Sequence, residues 1–144
     1  MQYQKINEGY GYALGMKRGE SLKESLIEFA KRENVQGAYF MAIGAVEKVR
    51  LGYYNFSEKT YPFRDYDETY ELASLQGNIT WYEGTPSVHM HAVLREADGT
   101  VIAGHLDDAR VAVTLEMFVH LLHGAGITKK LDPEIGLPLW DFEK

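Results

Sequence analysis

Three of the five histidines stand close together in the chain, as His89, His91 and His105. The stretches from Ser87 to Arg95 and from Thr100 to Leu106 alternate in a strand-like way on either side of Asp98-Gly99, so the three histidines belong to one hairpin. Residues i and i+2 of a strand face the same side, and His89 and His91 therefore present their imidazoles together. The side taken by His105 depends on the turn. A two-residue Asp98-Gly99 loop pairs Ala97 with Thr100 and puts His105 opposite Ala92, on the other face. A three-residue loop, Ala97-Asp98-Gly99, with Gly99 at the left-handed position of a G1 bulge, pairs Glu96 with Thr100 and puts His105 opposite His91. Glycine stands where φ must be positive, which favours the second turn and one shared face.

Three neutral imidazoles converging on one point suit Zn²⁺, with Fe²⁺ or Ni²⁺ also admitted. A three-histidine set leaves one position open for water or a substrate, the pattern of a catalytic site. Against this stands the plainer reading that strand histidines are surface or satisfied core groups; the hairpin partner is what lifts the metal reading to equal weight. Glu71 and Glu116 fall on strand-like segments and are candidates to orient an imidazole or act as a general base, although cross-strand or surface carboxylate is their more ordinary role. His120 and His123 are spaced as on a helix face. The unbroken alternation of Val111, Val113, Leu115, Met117, Val119 and Leu121 makes that segment a strand, so the two point to opposite sides and are read as non-ligands. The chain has no cysteine, which excludes thiolate chemistry and a disulfide framework.

The elements that must position the histidines follow from hydropathy period. Tyr10, Tyr12, Leu14 and Met16 alternate as in a half-buried strand. Ser21-Leu22-Lys23-Glu24 has the form of a capping box, and Leu22, Leu26, Phe29 and Ala30 follow at helical spacing, which predicts a helix over residues 21–33. The stretch from Tyr39 to Leu51 reads as strand. Residues 57–67, with Pro62, read as a loop or irregular edge strand. Strands resume at Tyr70 to Leu75 and Asn78 to Tyr82, separated by Gln76-Gly77, and Glu83-Gly84-Thr85-Pro86 is a turn. The segment after Gly124, with Pro133 and Pro138, is expected to be an irregular wrap anchored by Trp140. The fold class is α+β: a mostly antiparallel β-sheet with one main amphipathic helix, in a single domain over residues 1–144.

The 144 residues suffice for one core, and 45% hydrophobic with 25% charged residues is the balance of a soluble globular protein. No uncharged run is long enough to cross a bilayer and no secretory signal is visible, so a cytoplasmic location without membrane attachment is expected. Fifteen basic and twenty-one acidic residues leave a net charge of −6, with the basic ones scattered. Tight duplex DNA binding takes a clustered positive surface, and none is apparent.

An ordered set of motifs carries a resemblance: Arg18-Gly19-Glu20-Ser21-Leu22, Ala42-Ile43-Gly44-Ala45, Glu71-Leu72-Ala73-Ser74-Leu75-Gln76-Gly77-Asn78, Val88-His89-Met90-His91-Ala92 and Ala103-Gly104-His105-Leu106. Together they resemble the PPC domain of plants and prokaryotes over nearly the whole chain. The resemblance implies a compact α+β domain that assembles as a homotrimer, and a zinc-holding cluster in prokaryotic members that falls on His89, His91 and His105. The family was named for DNA binding because plant members join the domain to AT-hook arms. This chain has no such arm, and the plant-type G-R-F-E-I-L segment is replaced by Glu68-Thr69-Tyr70-Glu71-Leu72-Ala73. Two functions follow as expectations: a DNA-associated regulatory protein, by family naming, or a metal-dependent enzyme or binder of a small molecule or protein partner. Residues 84–99, with His89, His91 and Glu96, also resemble the first metal motif of a cupin. However, Glu96 and Gly99 lie too close together for that motif, and no P-x-G turn introduces His105.

Overall fold

The computed structural model describes residues 1–6, 11–122 and 126–142. Among these described residues, nine strands and one helix follow in the order β1 (Gln2–Ile6), β2 (Gly11–Lys17), α1 (Leu22–Arg32), β3 (Ala38–Gly52), β4 (Phe63–Tyr66), β5 (Tyr70–Tyr82), β6 (Thr85–Arg95), β7 (Val101–Leu121), β8 (Thr128–Leu131) and β9 (Pro138–Asp141). All belong to one sheet, antiparallel except where β8 runs parallel to β5. β7 pairs with both β3 and β6, and β5 also pairs with both β3 and β6. These four strands therefore form a closed ring of pairings, and the α+β expectation holds.

The helix forms where the period changes from 2 to 3.6. Ser21 is its N-cap, with its hydroxyl accepting the Glu24 amide at 3.1 Å, and Leu22, Leu26, Phe29 and Ala30 turn into the core. The cap is reinforced from outside the helix. Asp108, brought in by β7, accepts the Ser21 hydroxyl at 2.7 Å and the Lys23 amide at 3.0 Å. This fixes the helix to the strand that carries His105.

Several segments differ from the sequence expectation. Gln76-Gly77 does not interrupt a strand, since β5 runs unbroken from Tyr70 to Tyr82. Gly77 answers a need for space: a Cβ there would lie 2.4 Å from both the His89 carbonyl oxygen and the Phe40 ring. β7 likewise joins the hairpin arm to the alternating apolar strand, and register shifts against β3 absorb the change of direction between them. The C-terminal segment is a two-stranded hairpin, β8–β9, rather than an irregular wrap, and Trp140 is 49% exposed rather than an anchor. β4 is the edge strand anticipated beyond Pro62. Tyr10 and His123 lie outside the described residues. Among the described residues, no helix is long and apolar enough to cross a membrane.

Candidate metal centre

The turn that decides the site is the three-residue one. The Glu96 amide donates to the Thr100 carbonyl at 2.8 Å, the Gly99 amide donates to the Glu96 carbonyl at 3.0 Å, and Gly99 has φ +95°. Asp98 reinforces it by accepting the Thr100 amide at 2.8 Å, a bond that holds its carboxyl below the usual carboxylate range. From this turn the ladder runs Arg95–Val101, Leu94–Ile102, Val93–Ala103, Ala92–Gly104 and His91–His105. His91 also pairs with Gln76 of β5, and His105 with Gly52 of β3. The histidines thus mark the position where the ring of four strands closes. Gly104 lets the backbones meet there, because a Cβ would sit 3.2 Å from the Gly52 carbonyl oxygen.

The three imidazoles are mutual neighbours. Ring centroids are 5.2 Å apart for His89 and His91, 5.1 Å for His89 and His105, and 5.6 Å for His91 and His105. One nitrogen from each lies within 4.8 Å of the others. Tetrahedral donors around zinc, bonded at 2.0–2.1 Å, stand ~3.4 Å apart, so small side-chain rotations close the set. The His105 Nδ1 is buried and has no hydrogen-bond partner. A buried nitrogen left unpaired is costly, and a cation among the rings gives such an atom a partner. Burial, then the neighbouring imidazoles of His89 and His91, push the His105 pKa down to about 4, with Asp107 acting weakly the other way. His89 is also lowered, by burial first and then by His91 and Lys129. Both rings are thereby kept neutral near pH 7, the state in which an imidazole can ligate. The donor set fits a borderline divalent ion.

The surroundings were not legible in the sequence. Tyr61, in the loop before β4, lies 4.7 Å from His105 centroid to centroid, with Phe63 stacked behind it at 5.3 Å. Burial raises the Tyr61 pKa. Across from them the β8–β9 hairpin brings up Lys129 and Trp140, so that Tyr61, His89, His105, Lys129, Leu139 and Trp140 line one cavity of about 580 Å³. Lys129 donates to the Ser87 hydroxyl at 3.0 Å, and burial lowers its pKa from the usual lysine value. Residues so far apart in the chain leave no spacing motif to read.

Other candidates are not brought to the cluster. Glu71 pairs with Ala45 and Arg95, and Glu116 with Ile43 and Gly15; both line a separate depression beside Gly44. Glu71 lies five residues along β5 from Gln76, roughly 15 Å at strand rise. Glu96 belongs to the hairpin turn, away from the rings. His120 stacks on Tyr39 at 4.7 Å and 3°, outside the cluster.

The model of the Plants and Prokaryotes Conserved (PCC) domain matches residues 3–123. Among solved structures, a plant- and prokaryote-conserved (PPC) protein from Pyrococcus horikoshii is similar at 31% identity and TM-score 0.87, over 99% of this chain and 96% of that one. A protein from Archaeoglobus fulgidus described as metal-containing is similar at 32% identity and TM-score 0.86, over 96% of both chains. A protein from Bacteroides thetaiotaomicron, described as a candidate DNA-binding protein, is similar at 26% identity and TM-score 0.93, over 99% of this chain and 98% of that one. Among curated proteins none matches the chain.

Proposed function

Because this chain belongs to the Plants and Prokaryotes Conserved (PCC) domain family, we propose that it is a homotrimeric protein that holds a divalent metal through His89, His91 and His105 and takes a small molecule beside it. The observation that carries the reading is the convergence of three imidazole nitrogens within 4.8 Å, two of the rings held neutral by their surroundings. The Archaeoglobus relative described as metal-containing supports it. Zinc fits best, with iron or nickel as the alternatives. When bound, such an ion supplies Lewis acidity toward an oxygen of the bound molecule. The chain's own residues shape the cavity: Tyr61 stands against His105, Trp140 contributes an aromatic wall, and Lys129 adds a positive charge.

Elemental analysis of untagged protein tests the reading. About one zinc, or another first-row metal, per chain is expected. Protein that holds no metal as purified and takes up none on titration overturns it.

The trimer is supported by a bare face of the sheet. Tyr39, Met41 and Ile43 of β3 and Phe118 of β7 are 45%, 49%, 59% and 54% exposed, and Met41 pairs with Phe118. Met16 and Met117, on the neighbouring strands, turn the other way and are buried in the chain's own core. A contiguous apolar patch of this kind marks an interaction surface.

A DNA-associated role has the name of the Bacteroides relative behind it. The net charge of −6 opposes direct binding, and the expected affinity for duplex at physiological salt is ~10⁻⁴ M or weaker. Any such role of this chain then runs through a partner.

A further inference from the structure

The cavity beside the histidines holds a cationic side chain that needs explanation. Lys129 of β8 stands half-buried in it, and among the described residues no ion pair engages its ammonium. Its hydrogen bond goes to the neutral hydroxyl of Ser87, which leaves two of its three protons free. The rest of the wall is apolar or aromatic, from Val88, Leu137, Leu139 and Trp140. An ammonium and a divalent ion sharing one cavity repel each other, and at reduced dielectric that repulsion is substantial unless a negative charge stands between them. No carboxylate is among the cavity's lining residues. The missing negative charge is then the ligand's.

We propose that this cavity binds a small organic carboxylate, its carboxyl group on Lys129 and Ser87 and its carbon skeleton against Trp140 and Leu139. One ammonium and one hydroxyl match a single negative charge. A phosphate, with two charges and more acceptor oxygens, would call for an arginine or a set of backbone amides. The volume of about 580 Å³ suits a molecule of metabolite size. The inference rests on the metal reading for its second positive charge; the lysine contact itself does not.

Calorimetric titration with butyrate, and separately with inorganic phosphate, tests the proposal on zinc-treated wild type, Lys129→Met and Lys129→Arg, with zinc content and melting temperature measured on each sample. Butyrate is expected to bind wild type about tenfold or more tightly than Lys129→Met, the loss of one charged hydrogen bond. Lys129→Arg should keep most of the affinity, and phosphate should bind more weakly than butyrate. Equal butyrate binding by wild type and Lys129→Met, with zinc present in both, overturns the carboxylate site and leaves the metal reading intact. Tighter binding of phosphate overturns the ligand class. If wild type takes up no zinc, the metal reading fails by itself. The same titrations on metal-free protein then decide the lysine contact: a retained difference supports it, and an absent one overturns it.

Discussion

His91 and His105 stand directly opposite each other across the β6–β7 ladder, at the last position where those two strands pair. The pairing is set five positions away, by a turn with Gly99 at φ +95°. Placing alanine at 99 meets no steric obstacle, the nearest atom being 3.7 Å away, but forces a β-carbon into left-handed backbone. Gly99→Ala should therefore cost about 1 kcal/mol of stability in denaturant unfolding and weaken metal retention. An unchanged midpoint would show that the turn does not hold the register.

Replacing His91 with alanine should remove most of the bound metal while the fold persists, because the core of Leu26, Phe29, Leu75, Leu94 and Leu115 lies apart from it. Replacing His120, stacked on Tyr39, should leave metal content unchanged. Elemental analysis of the two variants side by side reads the difference. Equal loss in both would place the metal elsewhere.

Gly77→Ala drives a β-carbon to 2.4 Å from the His89 carbonyl oxygen and the Phe40 ring. The strand bearing His89 must shift to relieve it. The expected cost is roughly 1–3 kcal/mol, as for an overpacked core, with impaired metal binding. Thermal unfolding and metal titration of the variant provide the check.

In metal-free protein, folded His105 takes up its proton near pH 4, whereas the unfolded residue does so near 6.5. Between those values the unfolded chain binds more protons. This contribution to stability is complete above about pH 6.5 and is lost as pH falls toward 4. His89 acts in the same direction. The melting temperature of wild type should fall from pH 6.5 to about 5 more steeply than that of His105→Asn. Parallel curves would contradict the burial of His105.

Phe118→Asp places a charge on the bare face without disturbing the core, since Phe118 is 54% exposed. Sedimentation equilibrium should find wild type at the trimer mass and Phe118→Asp at the monomer mass. A monomeric wild type at micromolar concentration would overturn the assembly.

The sequence was informative where signals are local. Ser21 and the Leu22, Leu26, Phe29 spacing define α1, and the Asp98-Gly99 chemistry selects the register that joins His91 to His105. It misled where a glycine served packing rather than turning, as at Gly77, and where strands separated by a change of direction proved continuous, as in β7. It was silent on Tyr61 and Lys129, and it read Trp140 as the anchor of a terminal wrap where the residue lines the cavity. These reach the histidines only through tertiary folding, from the loop before an edge strand and from a terminal hairpin whose own pattern read as an irregular wrap.

The change of partner within β7 shapes how the molecule opens. From Val101 to His105 the strand is zipped to β6, and from His105 onward to β3, so two ladders overlap at a single residue. The hairpin tip can fray without breaking the β3–β7 ladder, and its amides should exchange with solvent as a unit separate from those of residues 111–121. A ligand gripped by both His91 and His105 spans the last rung of the weaker ladder. It acts there as a rivet and merges two opening events into one.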